Sequence, residues 1–262
     1  MPLGRRWEGW ICMLSTADHV GLHRYVRCSA DEIGHYVLLP GDPGRVAMLA
    51  SFLEGGRAIA QHRAFTTFSG RLAGVTVSVI STGMGGPAMA IAVEELAALG
   101  AHTFIRVGTS GLMQPGMRSG DLVVAAGAIR DEGTALQYLP LSFPAAADPD
   151  VVDALCAGCR AMGLRCWVGI AHSKDSLYGE WEPDRMPVAV DLNSNWQAWV
   201  RAGALCSEME LATLLIVARM LGKRAGGLIV ALADDHPLDD LCASAVRGLQ
   251  HLIERDRGAA GS

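Results

Sequence analysis

Half of this 262-residue chain is hydrophobic, 19% of it is charged, and its formal net charge is −5. That is enough apolar material for the core of one large domain or two small ones, and the acidic balance excludes nonspecific nucleic-acid binding, which needs a basic field. No apolar run approaches the ~20 residues of a membrane span, and "WICML" is too short for the apolar stretch of a signal peptide. The expected setting is therefore the cytoplasm, with neither membrane nor nucleic acid as partner.

Residues 1–21 lack periodicity and read as an irregular N-terminal arm. "HYVLLP" reads as a buried strand ending in the turn "GDPGR", with an apolar helix from there to about residue 53. "VTVSVIST" is a strand, "GMGGP" a glycine-rich turn, and "AMAIAVEELAALG" a helix closed by Gly100. "HTFIRVGTSG", "DLVVAAGAI" and "WVGIAHS" are further strands. Between the last two, "DPDVVDALCAGCRAMG" is an amphipathic helix carrying Cys156 and Cys159. Seven cysteines form no disulfide framework, and this C-x-x-C has no second pair to complete a metal site, so two small helix residues in a reducing compartment is the favoured reading. "SEMELATLLIVARMLG" is an apolar helix with acids in its first turn, "RAGGLIVALA" a central strand, and "LDDLCASAVRGLQHLIER" a closing helix. Residues 256–262, "DRGAAGS", read as a disordered tail.

Strands alternating with helices predict an α/β fold, a three-layer α/β/α sandwich around a central mixed sheet, with residues 1–262 as a single domain. Ligands of such sheets bind beyond the carboxyl ends of the strands. The turns "PGDPGR", "TGMGGP", "VGTSG", "HSKDSLYG" and "LADDHP" fall there and are expected to converge.

Arg106 lies inside a strand that reads as buried, where an unpaired guanidinium is costly. It either awaits an anion or pairs with a core carboxylate. Gly41 and Arg45 stand in a turn that opens a helix, and Thr109 follows Arg106 at a strand end. Guanidinium forks, a hydroxyl and oriented N–H groups suit a small tetrahedral dianion. The glycine spacing is not that of a dinucleotide site, and no P-loop lysine is present. Taken alone, Arg45 also fits a surface helix position.

The segments "VLLPGDPGRV", "QHRAFTTFSG", "STGMGGPAMAIAVEELAALGAHTFIRVGTSG" and "EMELATLL" resemble the uridine phosphorylase branch of the purine/uridine nucleoside phosphorylases, in order, from about residue 22 to residue 254. The resemblance implies reversible phosphorolysis of a nucleoside to free base and a pentose 1-phosphate, with inorganic phosphate as co-substrate and no organic cofactor or metal. It implies a homo-oligomer too: a dimer as the minimal active unit, three of which build a hexamer. Carried over by position, Gly41, Arg45, Arg106 and Thr109 match phosphate ligands, and Arg63 matches an arginine lent by the neighbouring subunit. His23 matches the neighbour's ribose-contacting histidine, Met209 and Glu210 match the ribose-binding pair, and Glu208 matches a nearby acid of the same motif, expected at the base. Taken alone, Glu208 and Glu210 also fit acids placed near a helix N-terminus.

The base end departs from the pattern. Leu177 stands where a phenylalanine stacks on the base, Tyr178 is kept, and Glu180 or Trp181 takes the place of a glutamine. Pro183 falls near an expected arginine, for which Arg185 substitutes only if the loop is rearranged. A carboxylate only accepts, so Glu180 faces uracil carbonyls unfavourably; it suits a purine N–H, or else points to solvent. Asp234 and Asp235 in "LADDHP" resemble the "SDH" turn of hexameric purine phosphorylases, in which an aspartate protonates the departing base. Ala64 and Ala88 replace residues that hold a monovalent cation in some relatives. The base is thus open among uracil, purines and modified pyrimidines. The rival readings are a nucleosidase, with water in place of phosphate, and a weakly catalytic nucleoside-binding homologue.

Overall fold

The computed structural model describes residues 24–232 and 238–260. One ten-stranded mixed sheet forms the middle layer. Its central strands are those whose sequences are apolar on both faces: β1 (Tyr36–Pro40), β4 (Val75–Ile80), β5 (Thr103–Leu112), β6 (Leu122–Asp131), β8 (Cys166–Lys174) and β10 (Arg224–Leu232). β5 runs parallel to β1 on one side and to β10 on the other, with Arg106 opposite both Leu39 and Gly227. Beyond β1, the far end of β5 pairs antiparallel with β9 (Cys206–Glu208). β9 is joined to β8, β8 to β6 and β6 to β10, so these five strands close into a ring.

Apolar clusters fill both faces. One holds Phe104 and Leu39 under the helices α2 (Gly86–Ala98) and α6 (Leu211–Met220). The other holds Ile105 and Val107 under α1 (Pro43–Ala50), α3 (Pro149–Ala161) and α7 (Asp239–Ala260). The fold is therefore the three-layer α/β arrangement expected. Gly158 lets α3 touch α7: a Cβ there would stand 2.3 Å from Ser244 O and 2.5 Å from Gly248 N. The C-x-x-C lies on this helix, with Cys156 and Cys159 in the core as free thiols. Among the described residues no group of His, Cys, Asp or Glu is arranged to hold a metal, and no helix is long and apolar enough to cross a membrane.

Four features differ from the sequence expectation. The hairpin of β2 (Glu54–His62) and β3 (Phe65–Leu72) was not foreseen, because β2 is largely exposed and carries no apolar alternation. Neither was α5 (Ala189–Arg201), which buries no residue completely. Glu208 sits on β9 and not in the helix that follows. The tail expected to be disordered from residue 256 continues α7 to Ala260, anchored because Asp256 takes hydrogen bonds from Tyr36 and Arg224 and Arg257 donates to Ala73 O. The N-terminal arm lies outside the described residues.

Candidate active site

Four of the five strand-end turns converge as expected, around a cavity of ≈ 830 Å³; of the fifth, "LADDHP", Leu232 lines the cavity and the rest lies outside the described residues. Its floor begins at β1, where Pro40 hands over to Gly41 and α1. Asp42 caps that helix by accepting from Gly44 N at 2.9 Å, and Pro43 occupies its first turn. The cap sets the first turn, and the first turn places Arg45 on the cavity. Gly83, at φ 72°, donates to Gly41 O at 2.9 Å and ties this turn to the glycine-rich one.

Arg45 is buried, at 7% exposure. Its Nη1 donates to Val107 O at 3.1 Å, its Nε has no partner, and no carboxylate of the described residues lies within ion-pair distance. Desolvation, reinforced by the neighbouring Arg106 charge, pushes its guanidinium below the ordinary value. Arg106, at 4% exposure, is held differently. Its Nε lies 2.7 Å from Glu208 and its Nη2 pairs with Glu210, while Nη1 has no partner. Desolvation works against its charge, but Glu210 and Glu208 outweigh that and raise it above the ordinary arginine value. The core-carboxylate reading of Arg106 thus holds for two of its nitrogens. Gly108 makes the room: a Cβ there would stand 2.9 Å from the guanidinium carbon.

Glu210 accepts from Gly85 N–H at 2.5 Å. Burial pushes its carboxyl up, and the Arg106 charge opposes that rise. Glu208, expected at the base, instead spends its oxygens on the protein. It takes Ser173 Oγ–H, the N–H of Glu210 at 2.8 Å and that of Leu211 at 2.9 Å, besides Arg106. Although on a strand, it caps the start of α6 through its side chain.

Thr109 and Met209 also line the cavity. At the opposite end a short helix, α4 (Leu177–Trp181), supplies Leu177, Glu180 and Trp181, which share one face at helical spacing. Tyr178 falls on the other face: it is 53% exposed, packs edge-on against Trp181 and lies under Arg185, so it is not part of the lining. Both alternatives for the glutamine position, Glu180 and Trp181, therefore reach the cavity.

Among the cavity residues that sequence reasoning did not single out are Lys174 and Ser207. Lys174 Nζ lies 2.7 Å from Glu180 and donates to Ser207 Oγ at 2.8 Å, and Ser207 donates to Glu180. Lys174 stood inside the flagged turn "HSKDSLYG", which was the available signal; Ser207 had none. Arg63 does not line the cavity. It sits exposed in the β2–β3 turn at φ 54°, its guanidinium 5.9 Å from the Tyr25 ring centre. His23, Asp234 and Asp235 lie outside the described residues.

Residues 35–251 match the family model described as "Phosphorylase superfamily". The chain is 40% identical to a uridine phosphorylase of Treponema pallidum, covering 91% of this chain and 95% of that one. It is 43% identical to a uridine phosphorylase of Thermococcus kodakarensis, over 82% and 78%. A guanosine phosphorylase of Halorubrum lacusprofundi is 36% identical, over 75% and 77%. The chain belongs to the phosphorylase superfamily.

Proposed function

We propose that this protein is a nucleoside phosphorylase, a pentosyltransferase that exchanges the base of a nucleoside for phosphate. The observation that carries the reading is Arg45: a buried guanidinium beside a second arginine, without a carboxylate of its own. An oxyanion between Arg45 and the unpartnered Nη1 of Arg106 relieves both, and Gly41 and Thr109 line the same cavity. The names of the relatives support the same class.

Phosphate is held under the sugar and aimed at the anomeric carbon. As the bond to the base stretches, the sugar turns oxocarbenium-like, and the dianion below stabilises its positive charge. Glu210 accepts from the ribose hydroxyls, the Arg106 charge opposes the upward push of burial on its carboxyl, and Met209 packs on the pentose. Glu208 positions Arg106 and α6.

At the base end Lys174 uses two of its three protons on Ser207 and Glu180, leaving one for a ligand. That donor suits an oxo group and cannot accept from an amino group. Uracil and the 6-oxopurines share such an oxo edge, in keeping with relatives named for uridine and for guanosine. Phosphorolysis of uridine, inosine or guanosine is therefore expected to exceed that of cytidine and adenosine.

The active unit is a dimer, assembled further into a hexamer, and Arg63 and His23 serve the neighbour's cavity. Arg63 supports this by standing exposed and away from its own cavity. Leu141, Phe143 and Ile170, exposed together around one concavity, give an apolar surface for such contacts. No metal or organic cofactor takes part, and Asp234 and Asp235 assist purine departure.

The test is base release with and without inorganic phosphate, with the sugar 1-phosphate assayed as product. Equal rates in phosphate-free buffer would establish a hydrolase instead. Binding without turnover would establish a binding protein.

A further inference from the structure

The first turn of α6 is held on one side through its backbone. Glu208 takes the N–H groups of Glu210 and Leu211, and Ser173 Oγ accepts from Ala212 N at 2.9 Å. On the other side its side chains meet the glycine-rich turn. Thr213, fully buried, follows Glu210 by three residues, so the two share one face of the helix start. The Glu210 carboxylate accepts from Gly85 N–H, and the Thr213 hydroxyl stands against Gly86. A Cβ on Gly86 would be 2.6 Å from Thr213 Oγ1 and 2.6 Å from Thr134 Oγ1, so this backbone fills a slot between two threonines. Gly85 adopts φ 90° and ψ 160°, a conformation open to glycine alone, and no side chain caps α2 there. The N–H that reaches Glu210 is therefore aimed by the slot and not by a local cap.

Behind the slot lies Glu132, the residue that follows β6, at 4% exposure. Its Oε2 accepts from Thr213 Oγ1 at 2.9 Å and from Ala135 N at 2.9 Å, while its Oε1 has no partner. The first bond sets the rotamer of Thr213, one wall of the slot. The second fixes the turn that carries Thr134, the opposite wall. A buried carboxylate is costly, and this one spends a single oxygen atom on holding both walls.

We propose that Glu132 is a positioning residue for Glu210: through Thr213 and Thr134 it seats Gly86, so that Gly85 N–H holds the Glu210 carboxylate where it receives the sugar hydroxyls. The inference rests on the phosphorylase reading of the cavity, which puts the sugar at Glu210. Arg106 pairs with Glu210 Oε2 and Gly85 N–H binds Oε1, so without the second contact the carboxylate is free to turn about the first. Burial pushes this carboxyl up and Glu208 adds to the push, whereas the Arg106 charge, the Gly85 N–H and Lys174 pull it down. The Arg45 end is tied separately, by the hydrogen bond from Gly83 N to Gly41 O. Losing the slot is thus expected to damage sugar binding and spare phosphate.

The test measures KM for the nucleoside, with uridine and guanosine, and for phosphate. T213V keeps the shape of the side chain and removes its hydroxyl, whereas T213S keeps the donor and E132Q keeps an acceptor for it. In T213V the nucleoside KM is expected to rise about 10-fold, as for loss of one hydrogen bond to a charged group, with the phosphate KM within about twofold. T213S and E132Q are expected to stay near wild type on both. The acid limb of kcat/KM for the nucleoside is expected to move to higher pH in T213V, since burial of Glu210 is then less opposed. Equal rises in both KM values, an unmoved nucleoside KM or acid limb, or T213S as impaired as T213V would overturn the proposal. T134A, at a half-buried position, removes the opposite wall and carries the same comparison if T213V does not fold. Calorimetry of nucleoside binding without phosphate reads the defect with no turnover: weaker binding in the variant supports the proposal, and unchanged binding overturns it. Phosphate-independent base release by the wild type overturns the phosphorylase reading alone.

Discussion

Arg45 and Arg106 are both buried, but their surroundings separate their roles. Arg106 is neutralised by Glu208 and Glu210 before any ligand arrives, so it holds the carboxylates as much as they hold it. Arg45 has no such partner. R45A should therefore leave the fold intact and raise the KM for phosphate by about 100-fold or more, the loss of a charge-assisted bidentate contact. R106A should abolish turnover and also destabilise the protein by about 3–5 kcal/mol, because two buried carboxylates lose their counter-charge. Urea unfolding alongside phosphate-dependent kinetics separates the two outcomes. G108A should behave as a mild Arg106 variant, since the new methyl group meets the guanidinium.

At the scale of elements, two close approaches decide how the layers fit. Gly158 brings α3 against α7 through backbone atoms that cannot swing away. G158A should cost about 2–3 kcal/mol by overpacking, seen as a lower urea midpoint, whereas C159S at the same crossing should keep metal content and activity unchanged. The elements legible in sequence were those with a strong burial pattern, such as β1, buried at every position, and α6, buried along almost its whole length. β2 and α5 escaped notice because little of either is covered, so their sequences carry no strong apolar period. Their place comes from what they border: β2 from its hairpin with β3, α5 from the tryptophans it sets beside His172.

For the whole molecule, buried thiols make stability depend on alkaline pH. Burial pushes Cys156 and Cys242 up to about 11, and Cys159 and Cys206 up to about 12, from an ordinary value of 9.0. A raised folded value favours the folded state fully below pH 9 and loses that contribution as pH climbs through 11 to 12. At pH 10 each thiol still protonated in the folded state and ionised in the unfolded one costs about 1.4 kcal/mol. The urea midpoint should therefore fall between pH 8 and pH 10.5, and less steeply in C206A. The proposed sharing of sites between subunits has its own signature. R63A and R106A, each inactive alone, should regain about one quarter of wild-type activity after mixed refolding at equal amounts, because half the hetero-pairs' sites would be intact. No recovery would assign Arg63 to its own chain.

The amino-acid sequence by itself determined the layered α/β class and the Arg45–Arg106 end of the cavity, the end proposed to take phosphate. Gly41 and Arg45 share one capped turn, and Arg106 and Thr109 share one strand end, so neighbours in sequence build the cradle locally. The other end, proposed to take the base, was decided by tertiary structure. Its Glu180, Ser207, His172 and Asp131 are joined by hydrogen bonds spanning 27, 35 and 41 residues. Only the pairing of β8 with β6 and β9 brings them into line. A helical turn likewise sends Tyr178 outward and Glu180 inward, a choice that two polar residues two positions apart cannot announce.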